Sequence, residues 1–185
     1  FFPCGASDLP IGQVGLSGWE TVEIPVIDLV NAGLDLSNIS NGLVIFPAFG
    51  ETDGVVYRLD NVQWVGPGGA DGGPVASLEQ KVLDAGMAVE PFTLSAYDEA
   101  IGFASCPGDP AGCPSIGWAM VEDAERGPVL EVSHAASSNN AGLILATDPI
   151  DVSDFADGFL AFDINVLQAP AGDMFAKADC GFPCT

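Results

Sequence analysis

The sequence predicts an all-β fold, an antiparallel β-sandwich, and three observations predict it. Short apolar segments rich in β-branched and aromatic residues recur at separations of eight to fifteen residues. Gly, Pro, Asn and Asp fill the intervals, which is turn chemistry between strands. A helical pattern with a defined stop is confined to Ile27–Ala32, closed by Gly33. Taken in order, Glu20–Val26 alternates as a half-buried strand does, Leu43–Phe46 is a short buried run, and Val55–Leu59 leads into Asp60. Residues 77–90 offer a second helical stretch, interrupted by Gly86 and bounded by Pro91. Val129–Ser133, Gly142–Ala146, Gly158–Val166 and Met174–Ala178 then read as strands. Two of these elements are entered in the same way. Asp35-Leu-Ser37 and Asp151-Val-Ser153 each precede a glycine corner and an apolar strand, as expected of Asp side chains closing turns on their own backbone. Trp19 and Trp64 sit inside strand segments and are expected in the core.

Composition narrows the function. With 48% apolar residues the chain is globular, yet 26 acidic side chains against 4 basic ones leave a formal charge of −22. Such a charge repels nucleic acid and anionic membrane, and excludes both as electrostatic partners. It suits a highly solvated surface at high ionic strength, and it suits calcium capture by some of the carboxylates; the two coexist. No run of eighteen apolar residues is present, so no membrane span is expected. The sequence opens without Met, a charged leader or an apolar leader core, and reads as mature or excised material. Five cysteines in an acidic, Lys-poor chain indicate an oxidising, extracellular compartment. Cys106 and Cys113 bracket a Pro/Gly/Asp loop, and Cys180 and Cys184 bracket a tight corner, so two local disulfides are expected. Zinc competes poorly, because the single histidine, His134, is remote from both pairs in sequence. Cys4 is then left as a free or intermolecular thiol.

The two ends of the chain repeat one another: Phe1-Phe2-Pro3-Cys4 against Gly181-Phe182-Pro183-Cys184. Joined tail to head, the segments on either side read as one continuous β-domain. The natural order is therefore 75–185 followed by 1–66, with the Gly/Pro-rich residues 67–74 as a linker. Such a chain is either circularly permuted or a piece of a tandem array whose sandwich a neighbouring unit completes.

Particular residues carry a resemblance. Gly18-Trp19-Glu-Thr-Val-x-Ile-Pro, Gly33-Leu-Asp-Leu-Ser and Leu59-Asp60-Asn61-Val62-x-Trp64 resemble the last half of a galactose-binding-like jelly roll. The modules meant are those appended to marine bacterial exo-β-glucanases and related polysaccharide-degrading enzymes. Gly127-Pro-Val-Leu-Glu-Val, Gly158-x-Leu-Ala-Phe-Asp-Ile and the Asp179-Cys-Gly-x-Pro-Cys corner resemble its first half, so the halves stand in swapped order. The resemblance implies a jelly-roll sandwich, often a structural calcium, and in some members glycan binding. An acid from an early strand and the Asp of the last strand would share the ion, which places Asp60 with Asp98 or Glu99. The competing reading is that Asp60 and Asn61 only cap a strand end.

Sugar recognition needs exposed aromatic faces beside polar groups. Trp118, which follows the Cys106–Cys113 loop, is one candidate, with Tyr97 and Phe103 near it in sequence; core packing is the alternative for each. No catalytic constellation stands out. His134 is the only side chain with an ordinary pKa near neutrality and lies in no motif, and among 26 acids close pairs arise by chance. The expected function is a secreted, non-catalytic carbohydrate-binding module stabilised by calcium, with polysaccharide as partner. The alternative is a structural subunit of an extracellular filament that exchanges half-domains with copies of itself.

Overall fold

The structure, a computed structural model, describes residues 8–67, 78–137 and 139–181. Strand segments with apolar residues at every second position must bury one face, and here two sheets bury theirs against each other. The first sheet runs from edge to edge through β1 (Leu9–Gly12), β13 (Met174–Cys180), β3 (Ile39–Pro47), β11 (Ala141–Ile150), β7 (Thr93–Asp98) and β8 (Ala104–Ser105). The second runs through β2 (Glu20–Pro25), β12 (Phe159–Gln168), β4 (Val56–Val65), β10 (Gly127–His134) and β9 (Ile116–Asp123). A hairpin of β5 (Glu79–Asp84) and β6 (Met87–Ala88) pairs with the distal half of β4. Pairing is antiparallel throughout, so the predicted sandwich is the observed one.

Period two decides what lies between the sheets. Leu43 and Ile45 of β3, Leu143 and Leu145 of β11, and Met174 and Ala176 of β13 face inward. They meet Leu59, Val62 and Trp64 of β4 and Leu160, Phe162 and Ile164 of β12. Each Leu, Ile, Val, Phe or Met side chain so removed from water contributes roughly 1.5–3 kcal/mol. Trp64 is completely buried, as expected. Trp19 is not in the core: it lies just before β2 on the outer side of the second sheet, where its indole N–H donates to Asp123 at 3.3 Å. A tryptophan one position outside a strand is not bound by the strand's alternation, and the sequence motif did not reveal that.

The short helix α1 (Val26–Asn31) buries Val26 and Leu29 and ends at Gly33, whose φ of 105° few other residues adopt. The second helical stretch, within 77–90, is instead the β5–β6 hairpin. Ala85 and Gly86 both have positive φ, 49° and 75°, which is the two-residue turn that matches strand twist. Asp35 and Asp151 accept from the backbone N–H of Ser37 and Ser153, the turn closure read from sequence, and Asp98 and Asp109 do the same at Ala100 and Ala111.

The strands of residues 1–66 pair only with strands from beyond the linker: β1 with β13, β2 with β12, β3 with β11 and β13, and β4 with β5, β10 and β12. The strands of residues 1–66 make no pair among themselves, whereas those beyond the linker also pair with one another, as β11–β7–β8, β10–β9 and β5–β6. Cys106 and Cys113 form the expected disulfide, with Cα atoms 6.0 Å apart. Cys180 is also disulfide-bonded. Cys184, its expected partner, and Cys4 lie outside the described residues. Among the described residues no helix is long and apolar enough to cross a membrane.

Candidate functional site

The outward residues of the first sheet are aromatic where it matters. Register places Phe175 of β13 opposite Phe46 of β3, and Tyr97 of β7 opposite Gly142 of β11. None of Phe175, Phe46 or Tyr97 belongs to the core between the sheets, so they share the outer face. Phe175 stacks on Phe46 with centroids 5.7 Å apart, and Tyr97 meets Phe46 edge-on at 6.1 Å. Phe49 adds a ring 5.7 Å from Phe46, and Phe103 adds one 6.3 Å from Tyr97. The result is a continuous band of five rings.

Two backbone features shape the band. A Cβ at Gly142 would lie 2.6 Å from the Tyr97 ring, so the missing side chain is what lets that ring lie down across β11. Phe103 has a φ of 62°, a conformation bulky residues rarely adopt, and it follows the Glu99–Ile101 turn and Gly102. Strained positions of this kind concentrate where a side chain must be presented rather than packed. Phe103 is 40% exposed and Phe49 60%, while Phe46, against which Phe49 packs, is buried.

A polar rim borders the rings. Lys177 on β13 lies 3.4 Å from both Asp8 and Asp179. Burial pushes the Asp179 carboxyl above the ordinary carboxylate range, against the pull of the Lys177 charge and the Asn41 amide. Burial, followed by the charges of Asp8 and Asp179, raises the Tyr97 hydroxyl, so the phenol remains a protonated donor at neutral pH.

The residues nominated from sequence thus divide. Tyr97 and Phe103 come together. Trp118 does not join them: it lies on β9, the edge strand of the other sheet, partly buried against the core and opposite Val132. Phe46, Phe49 and Phe175 were missed, because Leu43–Phe46 reads as one buried run when alternate residues face opposite ways. The signal that could have found them is the alternation itself, once β3 is known to have a second occupied face.

The acids nominated for calcium do not come together. Asp60 lies on β4 in the second sheet, directly opposite Asp163 of β12, and its carboxylate accepts from the Ala85 N–H at 3.1 Å. Burial raises its pKa, with the N–H groups of Asn61 and Ala85 and the Arg126 charge opposing. Asp98 ends β7 in the first sheet, wholly buried, with its two oxygens accepting from the Ala100 and Ser115 N–H groups at 2.8 and 2.6 Å. Glu99 accepts from both the backbone and the side-chain amide of Asn140. These three carboxylates close turns and join loops, each with its own donors, and the set does not fit one shared ion. Among the described residues no group of three or more His, Cys, Asp or Glu is placed to hold a metal.

His134, at the end of β10, is 5% exposed, and neither ring nitrogen has a hydrogen-bond partner. Burial lowers its pKa to about 4, although the Asp98 charge favours the imidazolium. The ring is enclosed beside Tyr57, with centroids 6.1 Å apart. The fold and this surface define an all-β sandwich with a disulfide-closed loop and an aromatic outer face. No protein family, curated protein or solved structure matches the chain.

Proposed function

We propose that the protein is an extracellular, non-catalytic carbohydrate-binding module of jelly-roll type, which grips glycan on the outer face of its first sheet. The observation that carries this reading is the aromatic band, with Phe103 held in a strained backbone beside Tyr97, whose hydroxyl feels the charges of Asp8 and Asp179. Sugar rings present C–H faces that stack on aromatic rings, while their hydroxyls exchange water for polar groups at the rim. The jelly-roll part is supported by the path of the chain, which alternates sheets from β2 to β3 to β4 and again from β10 to β11 to β12 to β13. The Cys106–Cys113 disulfide supports an oxidising location.

Retention on a panel of insoluble and soluble polysaccharides tests this. Phe103→Ala is expected to weaken binding about tenfold, the equivalent of one aromatic contact of roughly 1.4 kcal/mol. Tyr97→Phe, which keeps the ring, is expected to stay within about twofold of the parent. The folded stability of Phe103→Ala should change little, because Phe103 is 40% exposed and lies outside the core between the sheets. Equal retention of the parent and Phe103→Ala on every glycan would remove this surface from consideration.

A second reading is favoured by the pairing pattern. Since the strands of 1–66 pair only with those of 75–185, the same contacts can form between copies, giving an open filament. Native mass across a concentration series separates the two: a single 18.9 kDa species supports the module, and a ladder supports exchange.

A further inference from the structure

The outer face of the second sheet carries a cleft unconnected with the aromatic band. A bulge creates it. Ala161 pairs with Gln63 and Asp163 with Asp60, so β4 holds one residue more than β12 between these pairs, and Asn61 takes it up with a φ of 50°. Asp60 and Asn61 therefore both lie beside Asp163. The Asn61 amide donates to Asp163 at 2.7 Å, and the Thr21 hydroxyl and the Arg126 guanidinium donate to the same carboxylate. Burial works against the Asp163 charge, but these three donors outweigh it and hold the carboxyl below its ordinary range. The cleft is about 250 Å³ in volume. Thr21, Asn61, Gln63, Lys81, Asp84 and Asp163 line it, and the small side chain of Ala161 opens its floor.

The chain's basic residues gather on this face. Of only four in the sequence, Arg58, Lys81 and Arg126 are here, and each is held by a carboxylate. Arg58 bridges Asp123 and Glu131, and Lys81 bonds Asp84 at 2.7 Å. Arg126, from the β9–β10 turn, reaches Asp163 and covers the Trp19 ring at 4.6 Å. Each of these cations thus already has a carboxylate partner, and the net charge of −22 repels carboxylate, sulfate and phosphate ligands. A cationic ligand meets an Asp163 already satisfied by three donors. What the cleft offers is a mixed set: a hydroxyl, two carboxamides, the remaining ammonium protons of Lys81 and the acceptor lone pairs of Asp84.

We infer that this cleft binds one uncharged polyol unit the size of a sugar ring, whose neighbouring hydroxyls bridge Gln63, Lys81 and Asp84. The cleft lies below the usual volume of sites for larger organic ligands, roughly 300–1,000 Å³, which limits the occupant to one ring. It presents no free aromatic face, since Phe162, the aromatic residue that borders it, is 1% exposed and packs in the core between the sheets, so recognition here is by hydrogen bonds. This inference does not rest on the aromatic surface, and the two fail separately.

The test is amide chemical-shift titration of the whole chain with D-glucose, D-galactose, D-mannose, L-fucose and myo-inositol, alongside D-glucuronate and D-glucosamine. At least one neutral probe is expected to saturate shifts at Thr21, Gln63 and Lys81 with a Kd of about 1–10 mM. Gln63→Ala and Asp84→Ala, both on the sheet surface, should each weaken it at least about fivefold. Binding of glucuronate or glucosamine in preference to every neutral probe would overturn the inference. So would the absence of saturable shifts with any neutral probe, or shifts that Gln63→Ala leaves unchanged and Phe103→Ala abolishes.

Discussion

Gly158→Ala is expected to destabilise the domain by at least about 3 kcal/mol and to lower its Tm by roughly 10 °C. A Cβ at this position would lie 1.9 Å from the Val65 carbonyl oxygen and 3.0 Å from the Gly66 Cα, both backbone atoms that cannot rotate away. Neither chain is free to retreat. The Gly158 carbonyl accepts from the Val26 N–H and its own N–H donates to Phe155, which fixes the entrance to β12. Val65 is paired on both sides, with Phe159 and with Glu79. The added methyl must therefore separate β12 from β4 at the point where the two pieces of the chain join. Equilibrium urea unfolding of parent and variant measures the effect. A loss below about 1 kcal/mol would mean that this junction yields, and that the close approach is incidental.

Acid is expected to destabilise the parent selectively through His134. In the unfolded chain this imidazole takes up a proton below about pH 6.5, whereas in the folded protein it does so only near pH 4. The unfolded state thus binds more protons throughout that window, so stability falls as pH drops from about 6.5 to 4 and is unaffected above it. The loss is about 3 kcal/mol at pH 4. Other groups contribute with either sign. The low pKa of Asp163 favours folding until pH falls through it, while the raised values of Asp60 and Asp179 act in the opposite sense. Comparison with His134→Leu cancels them. The leucine nearly matches the ring in volume and removes two unpartnered nitrogens. Urea unfolding at intervals from pH 8 to 4 should give a parent-minus-variant difference that is flat above pH 7 and moves by about 3 kcal/mol against the parent below it. A difference constant across the range would mean that the ring is solvated or paired.

The sandwich was legible because its signals are local. Alternation in Glu20–Val26 and Gly158–Val166 places successive side chains on opposite faces whatever the rest of the chain does. Asp-x-Ser turns close within three residues, and the Cys106–Cys113 loop is short enough to find its own partner. Gly158 stood out in a sequence motif, but the reason for it, the Val65 carbonyl, lies more than ninety residues away. The β5–β6 hairpin was less legible, since 77–90 carries helical and strand signals together and only pairing with β4 decides between them.

The candidate surfaces were legible only in fragments. Tyr97 and Phe103 are near in sequence and meet in space, whereas Trp118, fifteen positions beyond Phe103, is carried to the other sheet by the turn that follows the disulfide. Asp60 and Asp98 each read as a possible ligand, yet they belong to different sheets and to different sets of donors. The charged network of Trp19, Arg58, Asp123, Arg126 and Asp163 joins residues up to 144 positions apart along the chain, and pairwise sequence patterns do not encode such distances.

By itself the sequence determined the class of fold, the solvated acidic surface, the turn acids and the disulfide loop, because periodicity, charge and short-range closure act within a few residues. Only the tertiary structure decided which strands are neighbours, and hence which rings share a face and where the few cations gather. Strand order and register are set by burial of the whole inner face at once, a condition that no single segment contains.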